Sequence, residues 1–181
     1  TEITIPSCVE TIGLEAFTWC KNLKKVVIGS GVTTIKRGAF SVCPSLDDVT
    51  IGDSVKVIEN GAFATTAISE ITIPDSVEQI SGAFSECHSL VKFKSSRASE
   101  DGRALIFDDG RLVALTVIGL KEYTTPKGVH TIDGYALSSL YDDIEFTKLS
   151  ISEGVTTIRE NAICFCQNLK TIELPSTLTS I

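Results

Sequence analysis

Apolar residues return along this chain at a fixed interval. Ile5, Ile28 and Ile51 stand 23 residues apart, and so do Val9, Val32 and Val55, then Ile12, Ile35 and Ile58. The pairs Ala16-Phe17, Ala39-Phe40 and Ala62-Phe63 keep the same step. The frame continues, with single-residue deletions, through Ile73, Val77, Ile80 and Ala83-Phe84, and resumes at Thr125, Val129, Ile132 and Ala136-Leu137. It returns at Ile151, Val155, Ile158 and Ala162-Ile163, and breaks off after Leu174, Leu178 and Ile181. Self-similarity at such a period is the signature of a repeat architecture.

Each unit divides into parts with their own periodicity. Leu23-x-x-Val26-x-Ile28 ends in strict alternation, the pattern of a strand with one buried face. Leu46/Val49/Ile51, Ile68/Ile71/Ile73, Leu120/Tyr123/Thr125, Phe146/Leu149/Ile151 and Leu169/Ile172/Leu174 repeat it. A corner follows at Pro6, Gly29, Gly52, Pro74, Pro126, Ser152 or Pro175, where proline withholds a ladder N–H and glycine admits unusual backbone. Val-x-x-Ile then predicts a second, shorter extended segment. The spacing within Ala-Phe-x-x-Cys-x-x-Leu predicts a helical or 3₁₀ turn closing the coil, with alanine allowing close approach and phenylalanine filling the space between layers.

One coil cannot bury its own apolar face, whereas stacked coils bury each other's. The expected fold class is therefore an α/β-type repeat solenoid: short parallel strands ~4.8 Å apart, closed by short helical or 3₁₀ turns, eight strand positions making a slab roughly 35–40 Å long. Phe17, Phe40 and Phe63 should stand in single file. The whole chain, 1–181, reads as one solenoid, with regular repeats over 1–92 and over 123–181, the last of them truncated.

Between these, over 93–122, the step from Phe93 to Tyr123 lengthens to 30 residues and Ser99 to Leu115 replaces a normal coil. Two extended apolar segments flank Asp108-Asp109-Gly110, which predicts an inserted β-hairpin. A second departure, Leu140 to Glu145, lengthens a turn with Tyr141-Asp142-Asp143. Insertions in solenoids project as loops and carry binding; the equally weighted reading is that the hairpin joins two half-stacks. The absence of a leading leucine before Thr1 and the stop at Ile181 predict further repeats or caps in a longer protein.

Composition narrows the function classes. Acidic residues number 23 and basic residues 16, a net charge of −7, with no Lys/Arg cluster, which argues against nucleic acid as a partner. The apolar run Leu112–Leu120 is nine residues, too short for membrane insertion. No signal-peptide pattern opens the chain, and methionine is absent.

Cys20, Cys43, Cys87 and Cys166 share one repeat slot and read as a ladder of packed, reduced thiols; Cys8 and Cys164 lie outside it. Cys164-Phe165-Cys166 has no second pair or nearby histidine, so no metal site is assigned. His88 and His130 fall in exposed slots without triad partners. The adjacent carboxylates Asp47-Asp48, Glu100-Asp101, Asp108-Asp109 and Asp142-Asp143 point to opposite faces if extended and lack the alternation of a calcium loop. No phosphate loop or dinucleotide fingerprint is present, and neither a cofactor nor a catalytic residue is assigned.

The outward residues of the strands are the better candidate surface. They are Glu2/Thr4, Lys25/Val27, Asp48/Thr50, Glu70/Thr72, Lys92/Lys94, Glu122/Thr124, Lys148/Ser150 and Thr171/Glu173. Lys25, Asp48, Glu70, Lys92, Glu122 and Lys148 are the candidate ligand-binding residues. Alternating charges across a ladder also pair with one another, which would make the surface merely soluble.

The unit resembles the BspA-like, or Treponema pallidum-type, leucine-rich repeat. Ile3-Thr4-Ile5-Pro6, Val9-Glu10-Thr11-Ile12-Gly13, Ala16-Phe17 and Cys20 carry the resemblance, and the segments Ser99-Glu100-Asp101-Gly102 and Tyr123-Thr124-Thr125-Pro126 are similar to insertions in that family. Thr65-Thr66 and Ser139 depart from its cysteine. The resemblance implies a curved leucine-rich-repeat solenoid on a secreted or surface-anchored bacterial protein. It also implies adhesion through extracellular protein or matrix partners, cells or glycans, and carries no catalytic motif. The function expected is a non-enzymatic binding or adhesion module; the alternatives are a structural spacer for another domain and a glycan-capture accessory protein.

Overall fold

The computed structural model describes residues 1–138 and 145–181. The repeats form coils stacked side by side. A first column of strands holds β1 (Glu2–Ile5), β3 (Lys25–Ile28), β5 (Asp48–Thr50), β7 (Glu70–Thr72) and β9 (Lys92–Lys94), and after an interruption β12 (Glu122–Thr124), β15 (Lys148–Ser150) and β18 (Thr171–Glu173). The Val-x-x-Ile segments make a second column: β2 (Thr11–Ile12), β4 (Thr34–Ile35), β6 (Val57–Ile58), β8 (Gln79–Ile80), β13 (Thr131–Ile132) and β16 (Thr157–Ile158). The hairpin is β10 (Ala104–Ile106) with β11 (Arg111–Leu115), and β14 (Leu137–Ser138) pairs with β17 (Ile163–Cys164).

Neighbouring strands are parallel and join equivalent repeat positions, such as Ile3, Val26 and Val49, or Tyr123, Leu149 and Ile172. This register puts each inward side chain on its counterpart in the next coil. Val26, Val32, Ile35, Phe40, Val55, Phe63 and Ile68 are completely buried as a result. Phe17, Phe40, Phe63 and Phe84 stand in one file with centroids 5.2, 5.5 and 5.7 Å apart and planes within 9°. The spacing slightly exceeds the ~4.8 Å strand separation, so the rings slide past the unfavourable face-to-face sandwich. Close coil approach also needs glycine: a Cβ on Gly31 would stand 1.8 Å from the Ser7 carbonyl oxygen.

The closing turns correct the sequence reading. Among the described residues there is no helix and no 3₁₀ turn, so the solenoid is built from strands and turns and is not of α/β type. Five of the turns bend twice through the left-handed region, which a helix excludes. The first bend, before the alanine, falls on Glu15, Gly38, Gly61, Gly82, Tyr135 and Asn161; the second falls on Trp19, Val42, Thr65, Glu86 and Phe165. Alternate N–H groups then leave the turn for the next coil. Phe17 donates to the Ala39 carbonyl (2.8 Å), Trp19 to Ser41 (3.0 Å), Phe40 to Ala62 (2.8 Å) and Val42 to Ala64 (2.9 Å). Apolar spacing of three to four arises here from two sharp bends as readily as from a helical turn.

A left-handed residue with a side chain carries a steric cost of ~1–2 kcal/mol that glycine escapes. Glu15 is exposed at φ 52°, in the slot where three later coils place glycine. Glu15→Gly is expected to raise stability by ~0.5–1 kcal/mol in urea unfolding, the gain being reduced by the extra freedom of glycine in the unfolded chain.

The cysteine slot is explained by the same turns. The Cys43 thiol donates to the Phe17 carbonyl at 3.3 Å and the Cys87 thiol to the Phe63 carbonyl at 3.1 Å. Thr66 fills the slot with a hydroxyl that donates to the Phe63 carbonyl of its own coil at 3.0 Å, so the departure from cysteine keeps a hydrogen bond but changes its partner from the preceding coil to its own. Burial pushes both thiols up from their ordinary pKa and keeps them protonated as donors. Cys43 and Cys87 are buried, Cys20, Cys164 and Cys166 are half-buried, Cys8 is exposed, and all six are unbridged.

The hairpin is also part of the stack. β11 pairs antiparallel with β10 but runs parallel to β13, joining Arg111 to Thr131 and Leu112 to Ile132. The Leu115 N–H donates to the Ala136 carbonyl (2.7 Å), repeating the bond of Phe17 to Ala39. β11 is therefore a shortened coil in the second column, with no counterpart strand in the first. The core divides at this seam: Leu105, Phe107 and Val113 pack on the earlier coils, whereas Ala104, Leu112 and Leu115 pack on the later ones. The predicted loop of Leu140 to Glu145, with Tyr141-Asp142-Asp143, and Ser139 lie outside the described residues, apart from Glu145 itself.

Candidate functional site

The register decides which outward charges meet. Glu2, Lys25 and Asp48 lie in one row, as do Glu70 with Lys92, and Glu122 with Lys148 and Thr171. Lys25 Nζ reaches Asp48 Oδ2 at 3.0 Å. Glu70, however, pairs diagonally with Lys94, and Lys148 pairs diagonally with Glu173 at 2.6 Å. The Asp48 carboxylate holds the Lys25 pKa above its ordinary value, and Glu173 does the same for Lys148. Lys94 holds Glu70 below the usual carboxylate range. All of these groups are solvated, so the pairs add little stability. Diagonal pairing leaves Lys92 and Glu122 without an ion pair among the described residues.

Both flank the interruption of the first column. There a cleft of ≈ 440 Å³ opens, lined by Asp101, Arg103, Leu120, Glu122, Tyr123, Thr124, Lys148 and Ser150. The turn before β10 forms one wall. The Phe93 N–H donates to the Gly102 carbonyl at 2.8 Å, fixing this turn beside β9, and the Lys92 stem lies over Gly102, where a Cβ would stand 2.8 Å from Lys92 Cγ. β12 forms the other wall.

Tyr123 ties the two walls together. It occupies the inward slot that holds Val26, Val49, Ile71 and Leu149 elsewhere, and its phenol donates to Asp101. Asp101 also accepts from the Ser99 hydroxyl at 2.6 Å and from the Arg103 N–H at 2.9 Å. Burial works against the Asp101 charge, but these donors and the Arg103 guanidinium together hold its pKa below the usual carboxylate range. Burial, with the Asp101 charge, pushes the Tyr123 phenol up to about 12.

A proton held more tightly in the folded chain stabilises it below the ordinary phenol pKa of 10.0, and that contribution is lost as pH rises from there to about 12. Alkaline titration at the tyrosinate absorbance is expected to show Tyr123 ionising late, and Asp101→Asn is expected to move it earlier by removing the neighbouring negative charge. An unchanged titration in that variant would separate Asp101 from the phenol.

A second space, of ≈ 50 Å³ between Ala83-Phe84 and Ala136-Leu137, has room for a water or two and no more. Elsewhere the charged side chains serve the fold. Asp133 pairs with Arg111 Nη1 at 2.8 Å and Arg159 Nη1 at 3.1 Å, while the Arg97 and Arg111 guanidinium groups lie 4.9 and 5.3 Å from the centre of the Phe107 ring.

Comparison of the sequence with family profiles matches the BspA-type leucine-rich repeat region over residues 1–109 and 115–181, in six copies. The chain belongs to the BspA-type leucine-rich repeat family. The unmatched residues 110–114 fall within the hairpin, where the shortened coil departs from the family pattern. Among solved structures, this BspA-type chain is similar to a leucine-rich cell-surface protein of Faecalibacterium prausnitzii A2-165, with 28% identity and a TM-score of 0.71 over 98% of this chain and 55% of that one. The pneumococcal vaccine antigen PcpA gives 22% identity and a TM-score of 0.71 over 98% of this chain and 51% of that one. A leucine-rich repeat protein of Eubacterium ventriosum gives 16% identity and a TM-score of 0.54 over 98% of this chain and 73% of that one. The last two likenesses speak to the fold alone. The chain spans about half the length of the first two proteins. Comparison with curated proteins finds no match.

Of the six predicted site residues, Glu122 and Lys148 line the cleft and Lys92 lies at its rim; Glu70 faces Lys92 one strand away. Lys25 and Asp48 pair on the regular coils, apart from the cleft. Sequence reasoning missed Asp101, Arg103 and Tyr123 as a group. The signals were the long step from Phe93 and a polar-tipped ring in an aliphatic slot. His88 and His130 are both exposed, and His130 Nδ1 lies 3.3 Å from the Gly154 carbonyl. Among the described residues no group of three or more His, Cys, Asp or Glu could hold a metal ion, and no helix is long and apolar enough to cross a membrane.

Proposed function

We propose that this chain is a non-enzymatic protein-binding module of a bacterial cell-surface or secreted protein, engaging an extracellular or matrix protein through its first strand column. Lys25, Asp48, Glu70, Lys92, Glu122 and Lys148 are its contact residues. The observation that carries this reading is the interrupted ladder, which leaves Lys92 and Glu122 unpaired on either side of a polar cleft. A rigid stack presents such groups at fixed spacing, so binding needs little ordering of the chain. The family and the cell-surface relative support the location and the binding role.

Interferometry against immobilised fibronectin, laminin and collagen, with a glycan array in parallel, tests it. Saturable binding to a matrix protein is expected, weakening with salt because the contacts are solvated charges. Charge reversal of Lys92 and Lys148 to Glu together is expected to weaken it by ~tenfold or more with the unfolding midpoint unchanged. Binding to neither set would favour a spacer, whereas glycan binding alone would favour glycan capture.

A further inference from the structure

Cys20 and Cys43 fill the cysteine slot in two successive coils, 23 residues apart, whereas Thr66 separates Cys43 from Cys87. The turns that carry the two lie in register: the Phe17 and Phe40 rings stand 5.2 Å apart, and the Trp19 N–H donates to the Ser41 carbonyl at 3.0 Å. Neighbouring parallel segments hold equivalent Cα atoms ~4.8 Å apart, inside the ~4.4–6.8 Å that a disulfide spans. The Cys43 sulfur points toward the coil of Cys20. It donates to the Phe17 carbonyl at 3.3 Å and accepts from the Cys20 N–H. Side chains of this slot do touch across coils, since Thr66 Oγ1 and Cys87 Sγ lie 3.3 Å apart. Access to the two thiols differs: Cys20 is half-buried, and Cys43 is 0% exposed.

We infer that Cys20 and Cys43 are an oxidation site, forming a disulfide between successive coils when the chain meets a small-molecule disulfide. The more accessible Cys20 reacts first. Its thiolate attacks one sulfur of the reagent, the S–S bond of the reagent breaks, and one thiolate leaves, giving a mixed disulfide on Cys20. Cys43 then passes its proton to solvent and attacks the Cys20 sulfur, and the second reagent thiolate leaves. Two protein thiols are oxidised and one reagent disulfide is reduced to two thiols. Burial holds the Cys43 proton, which makes the second step the slower one. Oxidising surroundings outside the cell preserve such bonds. The link would tie one coil covalently to the next, whatever the outward strand face binds, so the inference stands apart from the protein-binding reading.

The test incubates the folded full chain with excess glutathione disulfide and maps its tryptic peptides by mass spectrometry. Cleavage after Lys21, Arg37 and Lys56 should yield residues 1–21 joined to residues 38–56, two hydrogens lighter than the separate peptides. Residues 1–21 also hold Cys8, so two variants place the link: Cys8→Ser should keep it and Cys20→Ser should lose it. In Cys43→Ser, where a hydroxyl can still donate to the Phe17 carbonyl, Cys20 should stop at the mixed disulfide with glutathione. If that variant fails to fold, the other two still decide. Amide exchange at Phe17 and Trp19 should slow by ~tenfold or more in the linked chain, because the coils can no longer part by breaking hydrogen bonds alone. Cys20 and Cys43 remaining free while the exposed Cys8 takes up glutathione would overturn the inference. So would a link that survives in Cys20→Ser, one lost in Cys8→Ser, one that forms only in urea, or faster exchange at Phe17 and Trp19 once it has formed.

Discussion

Replacing Phe40 with alanine is expected to lower stability by about 3–5 kcal/mol, measured by urea unfolding, the cost of truncating a fully buried ring that leaves a cavity. Phe40 is 0% exposed and lies between Phe17 and Phe63, at 5.2 and 5.5 Å. Each flanking ring would lose a face, and stacked rings add ~0.5–1.5 kcal/mol per pair beyond burial. Neighbouring coils also resist collapse into the void, because backbone bonds hold their spacing: the Phe17 N–H donates to the Ala39 carbonyl and the Phe40 N–H to the Ala62 carbonyl. Phe40→Leu should recover more than half of the loss. A loss below ~1 kcal/mol in the alanine variant would mean that the file of rings is not a principal stabilising column.

Asp133→Ala is expected to lower stability by about 3 kcal/mol, at the lower end for breaking a buried ion pair. Asp133 is 6% exposed and is contacted by two guanidinium groups. Its removal would leave Arg111 and Arg159 without the carboxylate that both contact. Arg159 is largely solvated, and Arg111 retains Asp109 at 2.6 Å, which keeps the cost at that lower end. The effect should fall on the seam, since Arg111 and Arg97 both contact the Phe107 ring and Arg97 Nη1 donates to the Val77 carbonyl at 2.6 Å. Hydrogen exchange should therefore rise first in β10 and β11. Asp133→Asn should cost less, because it keeps the shape and an acceptor while losing the charge.

The stacking direction and the inward slots were legible in the sequence because they depend on apolar spacing, and the hairpin because Asp108-Asp109-Gly110 supplies its turn residues between two apolar segments. Ile3, Val26 and Val49 announce their own register by recurring at one interval. The turns were misread because helical spacing reports only which side chains face inward. The left-handed bends at Glu15, Trp19 and Val42 are occupied by residues that do not ordinarily signal positive φ. The candidate surface was half legible. Alternation places Glu122 and Lys148 outward, but which charges pair depends on diagonal reach, as with Lys148 and Glu173. The Asp101–Tyr123 contact joins segments on either side of the hairpin, and no local pattern encodes it.

The sideways hydrogen bonds have an evolutionary corollary. Every regular coil offers the same donors to one neighbour and the same acceptors to the other, as Phe17 with Ala39 and Phe40 with Ala62 illustrate. A duplicated coil thus finds complementary partners above and below, and a deleted one lets its neighbours rejoin, so gene-level gain or loss of whole units leaves the scaffold intact. Growth between Lys94 and Glu122 would differ in kind, because a complete unit there would fill the gap in the first column.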